Sequence, residues 1–217
     1  MTYPDFSFEK KLAKKGYKLV AGVDEVGRGS FAGPIVAGCV VFPQDSRFTI
    51  PDPIVINDSK KLTARRREKA SEWIKENALA WAVGEISASK INSLGMAKAS
   101  RMAFRKAIAK VKTDFLLIDA FYIPFVKGLR RKNQLAIVKG DTKSVSIAAA
   151  SIIAKVYRDK LMTSLSKQSK FKPYRWGKNK GYGTREHQAA IKKYGTTREH
   201  RKQFVETWIE NSKSSKK

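Results

Sequence analysis

The chain contains very few of the residues that form covalent or zinc crosslinks. Cys39 is the only cysteine among 217 residues, which excludes an internal disulfide framework. His187 and His200 are the only histidines, so a structural zinc site lacks ligands as well. No apolar run approaches the roughly 20 residues of a membrane-spanning helix, and residues 1–18 show no signal-peptide pattern. We therefore expect a cytoplasmic protein that does not bind a membrane.

Acidic residues are also scarce. The chain has 19 Asp and Glu against 45 Lys and Arg, which gives a formal net charge of +26 and a pI of about 10.2. A hydrophobic fraction of 42% and an aromatic fraction of 10% are ordinary for a folded protein and exclude general disorder. The positive charge therefore lies on a folded surface, and the partner that it indicates is a polyanion such as a nucleic acid.

The positive charge is densest after residue 154. Residues 155–217 hold 18 of the basic residues and only 5 of the acidic ones, and aromatic residues lie among the lysines. Basic residues neutralise phosphates and aromatic rings stack on bases, so this pattern favours nucleic-acid binding over a merely solvated helical face. We expect a disordered tail over 213–217. The interleaved aromatic residues are Phe171, Tyr174, Trp176 and Tyr182.

Hydrophobic periodicity predicts alternating strands and helices. The strands are expected at 17–23, 35–42, 81–86, 114–119 and 135–138, and the longer helices at 63–78, 91–111 and 145–165. Two shorter helices are expected to begin near Thr184 and Thr196, the latter with Glu199 at capping-box spacing. This order predicts an α/β fold with a mixed sheet. We assign 1–165 to a catalytic core and 166–212 to a basic helical segment that completes the substrate-binding surface.

Four carboxylates follow apolar runs where a solvated acid is not expected. Asp24 and Glu25 end the first predicted strand, Asp119 ends the fourth, and Asp141 comes just after the fifth. Desolvated carboxylates repel one another unless a cation lies among them, and an all-oxygen set suits Mg²⁺ or Mn²⁺. The alternative is that each acid caps a helix or pairs with a lysine. Beside a nucleic-acid surface, clustered carboxylates favour phosphodiester hydrolysis with two metal ions.

Short motifs throughout the chain are similar to those of a known family. Residues 22–29 (GVDEVGRG), with Ala32, Gly33 and Pro34, resemble the signature of type 2 ribonucleases H, specifically ribonuclease HII. The resemblance continues in the same order to residue 204, which makes it far more specific than one motif. The further blocks are 57–62 (NDSKKL), 117–119 (LID), 139–141 (KGD), 149–159 (AASIIAKVYRD), 179–184 (NKGYGT), His187, Gly195, His200, Arg201 and Phe204.

The resemblance implies both a fold and an activity. The fold is RNase H-like, with a mixed central sheet flanked by helices and a C-terminal helical extension. The activity is hydrolysis of the RNA strand in RNA–DNA hybrids and incision 5′ of ribonucleotides embedded in duplex DNA, which leaves 3′-hydroxyl and 5′-phosphate ends. The family's four metal ligands correspond to Asp24, Glu25, Asp119 and Asp141, which would hold two Mg²⁺ or Mn²⁺ ions.

The resemblance also implies residues that bind the substrate. In the family, the glycine turn and a tyrosine of the closing motif sense the RNA-to-DNA junction. These correspond to Gly27, Arg28 and Gly29, and to Tyr182. Glycine lets the backbone approach a 2′-hydroxyl closely, although a glycine turn or a packed tyrosine can also be purely structural. Phosphate-binding roles are expected for Ser59, Lys60 and Lys180.

Two alternatives remain open at this point. Ribonuclease HIII is a close relative, but its usual N-terminal domain has no room before a first motif at residue 22, and its glycine motif usually differs. A non-enzymatic basic module, such as a ribosome-associated protein, explains the charge but not the acids at three strand ends. No clear sliding-clamp peptide is visible near the C-terminus, and a monomer is expected.

Overall fold

A computed structural model describes residues 3–45 and 48–214 and contains one five-stranded mixed sheet. The strand order is β3-β2-β1-β4-β5, in which β1 pairs antiparallel with β2 and parallel with β4. β2 and β3 are antiparallel, and β4 and β5 are parallel. The mixed sheet predicted from the sequence is confirmed. The strands are β1 Val20–Val26, β2 Ile35–Val41, β3 Ala80–Ile86, β4 Phe115–Asp119 and β5 Gln134–Ile137.

Helices cover both faces of the sheet and continue beyond it. α4 packs on one face, while α2 and α5 pack on the other. No helix within 3–45 and 48–214 combines the length and the apolar character needed to cross a bilayer. The helices are α1 Ser7–Ala13, α2 Ala64–Asn77, α3 Ala88–Leu94, α4 Met96–Ile108, α5 Val145–Ser166, α6 Trp176–Asn179, α7 Arg185–Tyr194 and α8 Lys202–Ser214.

The interior strand β2 shows why the sheet needs helices on both sides. All seven of its residues are buried. Because successive side chains of a strand point to opposite faces, Ile35, Ala37 and Cys39 join the cluster under α4, whereas Val40 joins the cluster under α5. A strand that is apolar on both faces is stable only between two layers. The local sequence of β2 therefore dictates the three-layer arrangement.

α5 lies unusually close to the sheet because glycines face it from two strands. A Cβ added to Gly22 of β1 would lie 2.0 Å from the carbonyl carbon of Ser146, and one added to Gly38 of β2 would lie 2.1 Å from the carbonyl oxygen of Ala150. Both distances are far below van der Waals contact, so only glycine permits this approach. The close packing brings the polar residues of α5 within reach of the end of β1.

The C-terminal segment has a small hydrophobic core of its own, here called the C-terminal cluster. It packs against the loop after β1 through Phe31 and Ala32. The expectation that Phe171, Tyr174 and Trp176 stack on nucleic acid is wrong, because these rings are buried and form the centre of this cluster. The cluster consists of Ala32, Met162, Phe171, Tyr174, Trp176, Ala190, Ile191 and Val205, with Phe31, Leu165 and Trp208 packed against it.

Several element boundaries differ from the sequence predictions. The helix predicted over 91–111 is two helices, because Gly95 adopts a left-handed φ of 78° between α3 and α4. The helix predicted near Thr196 begins only at Lys202, because residues 195–201 form a turn and a bridge to Ala32. β1 extends to Val26, so Asp24 lies within the strand. α1 has no counterpart among the sequence predictions.

The predicted boundary between a core and a C-terminal segment, at residues 165 and 166, lies in the last turn of α5 and stays a prediction. The helix contributes Ala149 and Ile153 to a sheet cluster and Met162 to the C-terminal cluster, so it connects the two parts. Of the predicted disordered tail, residues 213 and 214 belong to α8, and 215–217 lie outside the described residues.

Candidate active site

The two acids of β1 point to opposite faces of the sheet. Asp24 shares its face with Gly22, the face that α5 covers, and the Ser151 hydroxyl of α5 is hydrogen-bonded to its carboxylate. The backbone N–H of Glu25 also donates to Asp24 Oδ1 at 2.7 Å. Glu25 projects to the other face, where Arg28 Nη1 donates to its Oε1 at 3.0 Å. A single strand end therefore supplies one buried and one partly solvated carboxylate.

The other two acids arrive from the neighbouring parallel strands. Val23 of β1 is in register with Ile118 of β4, which brings Asp119 beside Asp24. Asp119 Oδ1 accepts a hydrogen bond of 2.8 Å from the Gly140 backbone N–H, in the turn that follows β5. That turn carries Asp141, which is buried. Three strand ends thus deliver four carboxylates to one edge of the sheet, as the sequence predicts.

The carboxylates are desolvated and repel one another. Burial raises the pKa of Asp24 to about 8. A hydrogen bond from Ser151 partly opposes this rise, whereas repulsion from Asp119, Glu25 and Asp141 adds to it. Burial likewise raises the pKa of Glu25, although the Arg28 hydrogen bond opposes it. These couplings show that the four acids lie close enough to influence one another.

A cation would offset this repulsion. The four side chains offer only carboxylate oxygens, which are the ligands that Mg²⁺ and Mn²⁺ prefer. Within residues 3–45 and 48–214, no group of three or more acidic, histidine or cysteine side chains is arranged so that it could hold a metal ion as it stands. The donor chemistry of the four acids and the desolvation of Asp24 nevertheless fit a divalent ion.

Asp58 is a fifth acid that the sequence did not single out. After burial, the largest influence that raises the pKa of Asp141 is the charge of Asp58, followed by that of Asp119. Lys60 and Lys61 act in the opposite direction on the same carboxyl. Asp58 therefore belongs to the electrostatic surroundings of the site, and its position one residue before Ser59 in the NDSKKL motif was the available signal.

A cleft of about 590 Å³, here called the active-site cleft, joins three of the acids to most of the predicted substrate-binding residues. Gly27 has a left-handed φ of 90°, and a Cβ there would lie 2.2 Å from Arg158 Nε, so both backbone and packing require glycine. A Cβ on Gly29 would meet nothing within 4 Å, which leaves that face of the turn open. The cleft is lined by Asp24, Glu25, Val26, Gly27, Arg28, Gly29, Ser59, Lys60, Leu62, Arg67, Asp119, Ser151, Lys155 and Tyr182.

Ser59 and Lys60 lie in the loop that forms one wall of the cleft. Ser59 is buried, and its hydroxyl shares a hydrogen bond of 3.0 Å with Ser151, the residue that contacts Asp24. The Arg67 guanidinium donates to the Ser59 carbonyl oxygen and holds the loop in place. Lys60 is exposed, and its charge partly offsets the rise that burial causes in the pKa values of Glu25 and Asp141.

Tyr182 and Lys180 follow α6 and differ in their surroundings. The Tyr182 ring lines the active-site cleft, with Lys155 Nζ 5.4 Å and the Arg158 guanidinium carbon 5.5 Å from its centroid. Lys180 lines a neighbouring cleft, and its ammonium donates to Thr163 Oγ1 at 2.6 Å and to the Gly177 carbonyl at 2.5 Å. Of the predicted substrate-binding residues, Lys180 therefore lies apart from the rest.

Sequence reasoning missed the residues that support the site from α5. Ser151, Lys155 and Arg158 follow one another at intervals of four and three, so they lie on one face of the helix. Polar residues in a helix that is otherwise buried over most of its first half were the signal that could have identified them. Arg201, which also contacts the glycine turn, is one of the residues of the family resemblance, but it lies among exposed basic residues, so the sequence assigned it no contact with the turn.

Comparisons with known proteins identify the family of this chain. The family model described as Ribonuclease HII matches residues 21–210. Ribonuclease HII of Caldanaerobacter subterraneus subsp. tengcongensis is 46% identical over 201 residues, which cover 92% of this chain and 79% of that protein. Ribonuclease HII of Bacillus subtilis is 43% identical over 201 residues, 92% of this chain and 74% of that protein.

Solved structures show the same fold. RNase HII in the PCNA:RNase HII complex from Archaeoglobus fulgidus has a TM-score of 0.70 and 25% identity, over 84% of this chain and 93% of that one. Bst-RNase HIII in complex with Mn²⁺ has a TM-score of 0.63 and 19% identity, over 87% of this chain and 65% of that one, and shows the fold alone. From its family model, its relatives and its fold, the chain belongs to the ribonuclease HII family and is a ribonuclease H, an enzyme that acts on RNA–DNA hybrids.

Proposed function

We propose that this enzyme, besides cleaving the RNA strand of hybrids, incises duplex DNA on the 5′ side of embedded ribonucleotides. Asp24, Glu25, Asp119 and Asp141 would hold two divalent ions, Mg²⁺ or Mn²⁺. The observation that carries the proposal is the convergence of four mutually repelling carboxylates at one sheet edge, beside a glycine turn with one open face. When bound, such ions supply an activated water and stabilise the leaving oxygen, which gives 3′-hydroxyl and 5′-phosphate ends.

The protein's own part in this reaction is to place the scissile phosphate and the ribose. Ser151 and the Glu25 backbone N–H orient the Asp24 carboxylate, and the Gly140 backbone N–H orients that of Asp119. Fixed ligands of this kind reduce the reorganisation that binding and reaction require. The Glu25 carboxylate is held by Arg28, so the glycine turn and one ligand are connected directly.

The walls of the cleft suit recognition of a single ribonucleotide. The open face of Gly29 lets backbone groups approach a sugar, and a 2′-hydroxyl can both donate and accept hydrogen bonds. Tyr182 lines the same cleft, and a tyrosine ring can stack on the adjoining nucleotide. We infer that Gly27, Arg28, Gly29 and Tyr182 together read the junction between the ribonucleotide and the deoxynucleotide that follows it.

Basic residues in the cleft suit the phosphates of the duplex. Lys60 is exposed and lines the cleft, and Lys155 lines it beside Tyr182, with its ammonium donating to Asp159 Oδ1 at 2.8 Å. Cations near a backbone contribute affinity that does not depend on sequence. Phosphate binding by Ser59 and Lys180 stays a prediction, because both side chains are engaged within the protein. A monomeric state and a cytoplasmic location likewise stay predictions.

A nicking assay tests the proposal. The enzyme is incubated with Mg²⁺ or with Mn²⁺ and a DNA duplex that contains one ribonucleotide, with an all-DNA duplex and a long RNA–DNA hybrid as controls. The expected product is a nick 5′ of the ribonucleotide, with cleavage of the hybrid and none of the all-DNA duplex. Cleavage of the hybrid alone would contradict the proposed incision and indicate the specificity of the ribonuclease HIII type instead.

A further inference from the structure

Two fully buried arginines, Arg158 and Arg201, fasten the glycine turn to the C-terminal segment. We propose that this pair, here called the arginine clamp, is a positioning device that sets the Gly27–Gly29 turn and Tyr182 at the spacing needed to read a ribonucleotide. The inference rests on the proposed function, because it assigns a specificity role within the same cleft. Neither arginine contacts the carboxylates, so both act through the residues that they hold.

Arg201 binds the turn through four hydrogen bonds to backbone oxygens. Its Nη1 donates to the carbonyls of Gly27 at 2.6 Å and Arg28 at 2.9 Å. Its Nε donates to Gly33 and its Nη2 to Pro34, both at 2.9 Å. A single guanidinium therefore fixes both ends of the loop that carries the glycine turn.

Arg158 connects the same loop to the segment that carries Tyr182. Its Nε donates to the Pro34 carbonyl at 2.9 Å and its Nη2 to that of Ala32 at 3.0 Å. Its Nη1 donates to the carbonyl of Lys180 at 2.9 Å, and its guanidinium carbon lies 5.5 Å from the Tyr182 ring centroid. The glycine turn packs directly against the Arg158 guanidinium, because a Cβ added to Gly27 would lie 2.2 Å from Arg158 Nε.

The chemistry of the clamp differs from that of an ordinary buried ion pair. Arg158 and Arg201 are both 0% exposed, and no salt bridge to either is found in the described part of the chain. Backbone carbonyls satisfy the guanidinium donors instead. Burying a charge without a counter-ion costs free energy unless its donors are hydrogen-bonded. The planar guanidinium can donate to several fixed acceptors at once, which a lysine ammonium cannot do with the same geometry. Such an arrangement tolerates little change of geometry.

The two segments that the clamp joins also bond directly to each other. The backbone N–H groups of Phe31 and Ala32 both donate to the Gly181 carbonyl, at 2.8 and 3.1 Å. These bonds hold Tyr182 and the glycine turn together as parts of the lining of the active-site cleft. The clamp thus sets the width of the cleft where the ribose and the next nucleotide would lie.

The test compares Arg158→Lys and Arg201→Lys, which keep the positive charge and lose the fork. On the single-ribonucleotide duplex we expect kcat to fall about 10- to 100-fold, because a displacement near 1 Å has effects of this size. KM should change less than about threefold, because the basic surface that binds phosphates is intact. The loss on a long hybrid should be smaller, and amide hydrogen exchange at residues 30–32 and 181–182 should accelerate.

Two matched variants separate positioning from general destabilisation. Arg105→Lys removes a guanidinium that donates to the Pro124 carbonyl, outside the clamp, and Ile108→Val weakens the core on the α4 face. The proposal would be overturned if the lysine variants lost equal activity on both substrates and Ile108→Val showed the same loss at the same lowered melting temperature. Unchanged kcat and unchanged amide hydrogen exchange in the lysine variants would overturn it as well. Should a lysine variant fail to fold, Arg201→Gln, which keeps a neutral donor, replaces it.

The outcome also separates the clamp from the proposed incision. If the wild-type enzyme does not nick the single-ribonucleotide duplex, the proposed incision is wrong. The clamp is then judged on hydrogen exchange and on kcat for the hybrid, where unchanged values in both lysine variants contradict it.

Discussion

Mild acid should destabilise the enzyme through two histidines buried in the C-terminal segment. His187 and His200 are almost fully buried, and their Nε2 atoms are 3.1 Å apart. Trp176 Nε1 donates to His187 Nε2 at 3.0 Å, and His187 Nδ1 lies 2.9 Å from the Tyr182 carbonyl oxygen. The backbone N–H of Thr197 donates to His200 Nδ1 at 2.9 Å. The pair therefore connects the hydrophobic cluster to the predicted junction-sensing tyrosine.

These contacts assign the proton positions on both rings. Because His200 Nδ1 accepts from Thr197, the ring proton of His200 is on Nε2 and points at His187. His187 Nε2 then accepts from Trp176 and His200, and its Nδ1–H donates to Tyr182. An additional proton on either ring would face a donor at hydrogen-bond distance. The folded state therefore requires both histidines to be neutral.

The size of the effect follows from the shift in pKa. Burial, together with the charge of His187, lowers the pKa of His200 from 6.5 to about 4, and burial lowers that of His187. Between pH 6.5 and about 4, His200 is protonated in the unfolded chain but stays neutral in the folded chain. Stability is therefore complete above about pH 6.5 and is lost as the pH falls toward 4. At about 1.4 kcal/mol per unit, His200 contributes a loss of roughly 3 kcal/mol.

Urea unfolding at several pH values between 7 and 4 measures this loss. The matched variant is His200→Asn, whose side-chain oxygen can accept from the Thr197 N–H but does not titrate. The carboxylates titrate alike in both proteins, so the difference between the two curves of unfolding free energy isolates His200. We expect the wild-type advantage to shrink by roughly 3 kcal/mol across this range. A constant difference would refute the reasoning.

Three further predictions concern the site and the sheet. Asp24→Asn should lower nicking and hybrid cleavage about a thousandfold or more, with an unchanged circular dichroism spectrum, because a metal ligand is lost; an active variant would remove this residue from the catalytic set. Tyr182→Ala should reduce nicking of the single-ribonucleotide duplex more than it reduces binding measured by anisotropy, whereas equal losses would indicate a packing role. Gly38→Ala should lower the free energy of unfolding by about 3 kcal/mol, since the new methyl would overlap the Ala150 carbonyl, and an unchanged urea midpoint would contradict that contact.

The sequence predicted the carboxylates because each followed a recognisable apolar run. Asp119 ends β4 and Asp141 follows β5, and the ends of parallel strands meet at one sheet edge. The motifs identified the same residues independently. The presence of the five strands and the mixed sheet, although not the ends of β1, were accessible because apolar periodicity reflects burial directly.

The supporting residues were not accessible, because their roles depend on contacts between distant parts of the chain. Arg201 contacts Gly27 across 174 positions, and the sequence around it reads as exposed basic surface. For Tyr174 and Trp176 the error was in the other direction. The flanking basic residues indicated exposed rings that stack on nucleic acid, whereas tertiary packing buries both rings. Local composition describes the surface of a segment, not which of its side chains turn inward.

Because the chain carries so many basic residues, the near absence of salt bridges from its four active-site acids, within the described residues, is informative. With 45 basic residues available, pairing with lysine or arginine was the simplest alternative role for each carboxylate. Within the described residues, only Glu25 of the four forms a salt bridge, and its partner Arg28 belongs to the glycine turn. For Asp24 and Asp141, desolvation outweighs every nearby cation, so their pKa values rise despite the net charge of +26. Acids left unpaired amid so much positive charge support the proposal that they bind a cation that the polypeptide does not supply.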